Sequence, residues 1–354
     1  MVKKLFMGLV IVVAFIFSVS IFVGGVNNKV NNKVNGNVTN NTTKTTSKRQ
    51  NYRINNDEID VVKKDTKDCD ISVYMSNERR TEKINLEEYI KGVVSSEMPV
   101  EFNIEALKAQ AVAARTFAVC HMEEFGGRKY KNANGADVVN TVQCQVYTRK
   151  EERLKTWPKD KAQEYWNKIS NAVDSTEGEV ITYKDKIITE PYYFSISSGK
   201  TENIKDVMDE DKPYLKSVSS PGEEAAPKYK TSLKMSYSEF VNRVNSSSNR
   251  HINTFQARFN TDVVERNDTG SVRKIKVGNS IISGSEFRSI TGINSTNFTI
   301  KRNISNIEFD CTGYGHGIGM SQWGAKAMAD KGSNYIDIIK HYYTGVDVKK
   351  LSTK

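Results

Sequence analysis

Glu97 is the acidic side chain in this sequence best placed to do chemistry. It sits at the end of the stretch NLEEYIKGVVSSEMP, where Leu86, Ile90, Val93 and Val94 recur at helical spacing and Glu97 falls on the same apolar stripe. Pro99 disfavours helical geometry at Met98, so the helix should stop there and leave Glu97 in its last turn, beside the negative end of the helix dipole. Burial and dipole both favour the protonated carboxyl, and a carboxyl held neutral near pH 7 is what a general acid requires. The alternative is a helix-end glutamate paired structurally with Arg or Lys.

A second chemical signal is Gly313-Tyr314-Gly315-His316-Gly317-Ile318-Gly319, glycine at every other position leading toward Ser321 and Gln322. As a strand it would have one face bare of side chains, open to a helix or a flat sugar ring, with His316 on the other face. The alternative is a tight glycine seam with His316 satisfied locally. The spacing never gives the G-x-G-x-x-G of a dinucleotide site. Ser198-Gly199-Lys200-Thr201 ends like a phosphate loop, but Phe194 occupies the place of its first glycine, which argues against nucleotide. With Ser197 it reads instead as a hydroxyl-rich loop able to hydrogen-bond sugar hydroxyls, with Tyr192 and Tyr193 as stacking faces, or as a plain surface turn. Cys120, His121 and Cys144 offer three zinc ligands but no fourth at metal spacing, so no metal and no cofactor is expected. There is no G-x-S-x-G elbow and no H-E-x-x-H.

The elements that must position these groups can be read in order. Asn85 caps the helix that carries Glu97, with Glu88 placed to complete a capping box. Ile71, Val73 and Met75 alternate as a short strand before it. Asn103 caps a second helix, alanine-rich, with Leu107, Ala111, Ala114, Phe117 and Ala118 on one stripe and Arg115 beside it; it suits a tightly packed centre. Glu151 to Val173 reads as one helix, and strands over 179–183 and 186–189 join at Lys184-Asp185. Residues 232–302 look like an insert or second lobe within an extended body running from 57 to 354. A strand over 306–310, a helix capped by Ser321 and a last helix over 335–343 close the chain. The fold class expected is α+β, with a groove lined by Glu97, Arg115, the 193–201 loop and the 313–322 segment.

Outside that body, Lys3 and Lys4 precede an uncharged apolar run over 5–26, long enough to span a bilayer. It reads as an anchor with residues 1–4 in the cytoplasm and everything after residue 26 outside; a cleavable signal is the other reading, given the small residues Ser18, Ser20, Gly24 and Gly25. Residues 27–56, nearly all Asn, Thr, Lys, Ser and Val, form a tether too polar to fold. The net charge of +10 and pI near 9.2 call for an acidic partner. The outward topology excludes nucleic acid and leaves anionic lipid or wall polymer. Outside the cell disulfides persist, and Cys120–Cys144 with Cys69–Cys311 is one pairing among the possible ones.

SSEMP at 95–99, EALKAQAVAARTFAV at 105–119, PYYFSISSGKTEN at 191–203, YLKSVSSPGE at 214–223 and GYGHGIGMSQWGAKAMA at 313–329 together resemble the stage II sporulation protein D family, in order, from about residue 70 to 348. That resemblance implies a membrane-anchored lytic transglycosylase acting on peptidoglycan on the mother-cell side during spore engulfment. It implies Glu97 as the catalytic acid/base, Arg115 as an essential arginine, and Tyr214, Lys216 and Tyr342 as substrate-binding or site-building residues. It further implies a preference for strands without stem peptides, with the stage II sporulation proteins P and M as partners. Many relatives carry a further Cys and a His before the position of Cys144, where this chain has Gln143 and Val138-Val139, which weakens a zinc site here. Related proteins with the same glycine motif are amidase enhancers, so a glycan-binding role without catalysis is the alternative.

Overall fold

A computed structural model describes residues 59–61, 66, 68–247 and 250–351. The expected anchor over 5–26 and tether over 27–56 lie outside the described residues. Among the described residues no helix is long and apolar enough to cross a membrane. The fold is a mixture of helices and several small sheets, as the α+β reading requires.

Strand Asp70–Met75 pairs antiparallel with Arg80–Asn85 and parallel with Val138–Val139. Asn85 ends that hairpin and caps α1 (Leu86–Glu97), accepting from the Glu87 and Glu88 amides at 3.1 and 3.3 Å. The reciprocal half of the expected capping box does not form, because Glu88 pairs with Lys91 instead. Met98 turns extended, at φ −122° and ψ 143°, as the following proline demands. Leu86, Ile90, Val93 and Val94 are fully buried.

The chain re-enters helix at Asn103, whose side chain accepts from the Glu105 amide at 3.0 Å, and α2 (Ile104–His121) runs through the centre of the body. Nearly every face of α2 is buried, because it packs on α1 and on several elements still to come, so small alanines replace an amphipathic stripe. The single helix expected over 151–173 is two: α3 (Lys150–Thr156) and α4 (Ala162–Asp174), parted at Pro158, which cannot continue the ladder of α3. Strands Glu179–Tyr183 and Lys186–Ile187 turn at Lys184 and Asp185, both at positive φ, 48° and 65°, the geometry of a two-residue hairpin turn. Asp347–Lys350 and Ile59–Asp60 complete that four-stranded sheet. A short helix α5 (Ile204–Met208) follows the parallel-paired Tyr193–Phe194.

From strand Lys230–Ser236 the chain builds a second hydrophobic cluster, separate from the first. It holds α6 (Tyr237–Ser247), α7 (Thr254–Phe259), α8 (Gly284–Thr291) and two three-stranded sheets, with Phe240, Phe287, Phe298 and Phe309 in ring contact at its centre. Strand Asn306–Thr312 lies beside strand Lys230–Ser236, so that Thr312 pairs with Lys230. The chain then returns to the body through the glycine segment, α9 (Gln322–Asp330) and α10 (Tyr335–Tyr342).

The disulfide pairing is corrected. All four cysteines are free. Cys69 and Cys311 belong to different clusters, Cys120 Sγ donates to the Ile188 carbonyl at 3.0 Å, and Cys144 Sγ accepts from the Val139 amide. Alkylation of denatured, unreduced protein is therefore expected to label all four thiols by intact mass; two labels or none would show a disulfide.

Candidate active site

Glu97 ends α1 with its side chain partly exposed. Its Oε1 accepts the Val146 amide at 2.9 Å, and the Gln322 carboxamide lies close enough to favour the ionised carboxyl. Burial pushes its pKa up to about 7, over the opposing effect of those two donors. No cation is among the causes, so only those two groups pull the carboxyl back toward the ordinary range. The carboxyl is thus crowded by protein while the residue keeps an opening to solvent, an arrangement in which an acid can meet a ligand.

The groups around it are neutral and polar. Gln322 Nε2 reaches Gln110 Oε1 at 3.4 Å, and Tyr193 Oη donates to Gln145 Oε1 at 3.0 Å. Tyr193 and Tyr89 both have their phenols held protonated, chiefly by burial, with Glu97 adding to it at Tyr193 and Cys144 and then Glu97 at Tyr89. Tyr89 Oη and Gln110 Nε2 are buried without a hydrogen-bond partner. Tyr89 stacks on Tyr147 with centroids 5.2 Å apart; Gly92 permits this, since a Cβ there would meet the Tyr147 ring at 2.4 Å. Phe102 and Trp323 meet edge to face at 5.0 Å, in the loop after Glu97 and directly after Gln322. Amides and phenols of this kind suit hydroxyl and acetamido groups, and aromatic faces suit sugar rings.

Glu97, Tyr193 and Gln322 are therefore brought together. The other expected residues have different places. Arg115 is fully buried: its Nε and Nη2 donate to Glu87 at 2.9 and 2.6 Å, and its remaining donors reach the Glu179 and Val173 carbonyls. The expectation that Arg115 lines the groove is corrected; its guanidinium fastens the start of α1 to α2. Burial alone would raise the Glu87 carboxyl, but the Arg115 charge and hydrogen bonds, with Thr66 and Gly178, hold it below its usual value.

Ser197 is likewise turned inward. Its hydroxyl and amide donate to Glu223 at 2.7 and 2.8 Å, and Ser220 and Ser321 donate to the same carboxylate. Tyr342 is buried too, with its hydroxyl 2.6 Å from Ser220 Oγ. Glu223 thus ties the 197–201 loop to the N-terminus of α9, where negative charge is favoured. Thr201 is fully buried, its hydroxyl accepting from the Val218 amide and donating to the Lys216 carbonyl. Tyr214 donates to Glu190 at 2.8 Å, Lys216 forms a surface pair with Asp211 at 2.9 Å, and Ser198 is half-exposed. These residues are tied to other protein groups and, Lys216 and Ser198 apart, have little free surface for a ligand.

The glycine segment is a seam rather than a strand. Gly313, Gly315, Gly317 and Gly319 all have positive φ, and a Cβ at Gly319 would lie 1.9 Å from the Tyr192 carbonyl oxygen. His316 is consumed within it. The Ile318 amide donates to Nδ1 at 3.1 Å, which fixes the proton on Nε2, and Nε2 donates to the Tyr193 carbonyl at 3.0 Å. Burial, aided by the Arg288 charge, lowers its pKa to about 4, so it stays neutral and serves as a clamp. The seam sets Met320 and Ser321 against Tyr193 and Phe194 as a parallel bridge, which delivers Gln322 to Glu97. Gly319→Ala is accordingly expected to destabilise the fold by about 3 kcal/mol or more, measured by denaturant unfolding.

Among the described residues no three His, Cys, Asp or Glu side chains come together as metal ligands. The His121 ring instead hydrogen-bonds through Nδ1 to the Phe117 carbonyl at 2.8 Å. An open hollow of about 660 Å³ lies on the second lobe, rimmed by Lys234, Arg258 and Arg302, and includes none of the residues around Glu97.

The family model described as "SpoIID: Stage II sporulation protein" matches residues 74–183, which includes Glu97 and Val146. Over 280 residues the sequence is 40% identical to stage II sporulation protein D of Bacillus amyloliquefaciens, covering 79% of this chain and 78% of that protein. Over 285 residues it is 37% identical to the protein of the same name from Bacillus subtilis strain 168, covering 79% of each. The chain belongs to the stage II sporulation protein D family. It is also 28% identical over 307 residues to the amidase enhancer of Bacillus subtilis strain 168, covering 72% of this chain but 39% of that protein. The family, and with it a part in sporulation, agrees with the resemblance carried by the five motifs. Gln110, Gln145 and the Val146 amide were not among the residues expected at the site. Gln110 carried a readable signal: it is a long amide in an otherwise alanine-rich buried helix, where a polar side chain needs a reason. The Val146 amide had none, since a backbone donor leaves no mark in sequence.

Proposed function

We propose that this protein is a lytic transglycosylase of peptidoglycan, cleaving between N-acetylmuramic acid and N-acetylglucosamine with Glu97 as acid and then base. The observation that carries the reading is the Glu97 carboxyl, half protonated near pH 7 and shifted by burial rather than by a second carboxylate. Glycosidases that use water or a protein nucleophile need two carboxylates. Here the protonated Glu97 gives its proton to the leaving glycosidic oxygen. The resulting carboxylate takes the proton from the C6 hydroxyl of the muramic acid, whose oxygen attacks the anomeric carbon and closes a 1,6-anhydro ring. The nucleophile belongs to the substrate, so its effective concentration is high and no water has to be held. Gln322 and the Val146 amide orient the carboxyl and stabilise its ionised form.

The same reading takes residues 5–26 as a single-pass anchor with the enzyme on the outer face of the mother-cell membrane. It takes stem-free glycan strands as substrate and the stage II sporulation proteins P and M as partners, as the family resemblance implies. The basic charge favours residence on an anionic wall. The test is mass spectrometry of products from stem-free glycan in ¹⁸O water. Anhydro ends without solvent oxygen are expected. Reducing ends carrying ¹⁸O would indicate a hydrolase, and no products with retained glycan binding would indicate a non-catalytic enhancer, the role in the name of the 28% identical relative.

A further inference from the structure

Along one side of Glu97 the segment 146–149 leads into α3. It is held there by the Val146 amide on Glu97 and by the Ser96 hydroxyl, which donates to Thr148 Oγ1 at 2.9 Å. Two arginines follow in sequence, and they are used differently. Arg149 is saturated with carboxylates, pairing with Glu78, Glu82 and Glu152. Arg153, one helical turn on, has no ion pair among the described residues. Its guanidinium lies over the Trp157 ring, 4.7 Å from the centroid, with Nη1 reaching only Thr156 Oγ1 at 3.4 Å and Nε buried without a partner. Burial weakens its hold on its proton, and the one acid that opposes this is Glu101, in the turn just after Glu97. The helix α3 packs against α1, the helix that ends in Glu97, so Arg153 stands beside it with donors unspent, while Trp157 is partly exposed beneath it.

A desolvated guanidinium on an aromatic face with free donors is built to take a planar anion, and a carboxylate fits its fork. Resting on the proposed function, the glycan itself supplies such a group. The lactyl ether of muramic acid ends in a carboxylate when no peptide is attached, and becomes an uncharged amide when one is. We propose that Arg153 and Trp157 form a carboxylate subsite that binds the free lactyl group of a muramic acid near the cleaved bond. The subsite makes Arg153 a specificity-determining residue, favouring strands without peptides over strands that carry them.

The test uses the full chain carrying Glu97→Gln, so that ligand is bound and not consumed. Three tetrasaccharides are titrated calorimetrically: a stem-free muramic-acid glycan, the same glycan amidated at its lactyl groups, and chitotetraose, which has no carboxylate. The stem-free glycan is expected to bind about ten-fold or more tighter than the other two, as a charged hydrogen bond allows. Adding Arg153→Gln should remove that preference by weakening the stem-free glycan alone, and Arg153→Lys should keep part of it. Equal affinity for all three ligands, or equal weakening of all three by Arg153→Gln, overturns the subsite and leaves the proposed function standing. Binding of none of them overturns both.

Discussion

Glu97→Gln is expected to lower turnover of stem-free glycan by at least about a thousand-fold while leaving glycan affinity within a few-fold of wild type. Glutamine keeps the shape and can still accept the Val146 amide, so a loss of this size reports the missing proton. In the wild type, kcat/KM should fall as pH rises through about 7, because the free enzyme's acid is lost there. A profile flat from pH 5 to 9 would remove Glu97 from the role of acid. Stability should follow the same group. The folded pKa lies above the unfolded value of 4.5, so between about 4.5 and 7 the native state holds the extra proton and stability declines as pH rises. At pH 8 the variant should thus be more stable than wild type, by up to about 3–4 kcal/mol, with the gain vanishing below pH 4.5. The price of an acid poised for catalysis is a native state weakened at neutral pH.

Arg115→Ala should destabilise the protein by about 3–5 kcal/mol, the usual cost of removing one partner from a buried ion pair. Glu87, only 6% exposed, would be left with Thr66 and Gly178 as its donors. The double variant Arg115→Met with Glu87→Leu is expected to recover most of that loss in denaturant unfolding. This separates two roles for Arg115. If Arg115 acts by fixing the first turn of the helix that ends in Glu97, the double variant regains activity as it regains stability. If the guanidinium meets substrate, the double variant folds and remains inactive.

The elements nearest Glu97 were legible because local rules and burial agree there. Asn85, the apolar stripe and Pro99 specify the start, face and end of α1, and each acts within a turn of its own position. Pro158 was read past because the apolar spacing on either side continues through it. The inward turn of Ser197, Thr201 and Tyr342 could not be read, since a hydroxyl looks the same in sequence whether it faces ligand or a buried carboxylate such as Glu223. Arg115 misled for a related reason. Its partner Glu87 is separated from it by a whole helix, and only the packing of α1 on α2 shows that the guanidinium is already spent.

Lys230 and Thr312, where the chain leaves the body and where it comes back, face each other in register on adjacent strands. The polypeptide between them closes on itself and carries its own apolar centre. A shorter or longer segment can start and end at the same two residues without re-routing any strand of the body, provided it supplies donors for Glu202, which here accepts from Asn267, Thr269 and Ser271. What surrounds the body can thereby change while the helices that place Glu97 stay as they are.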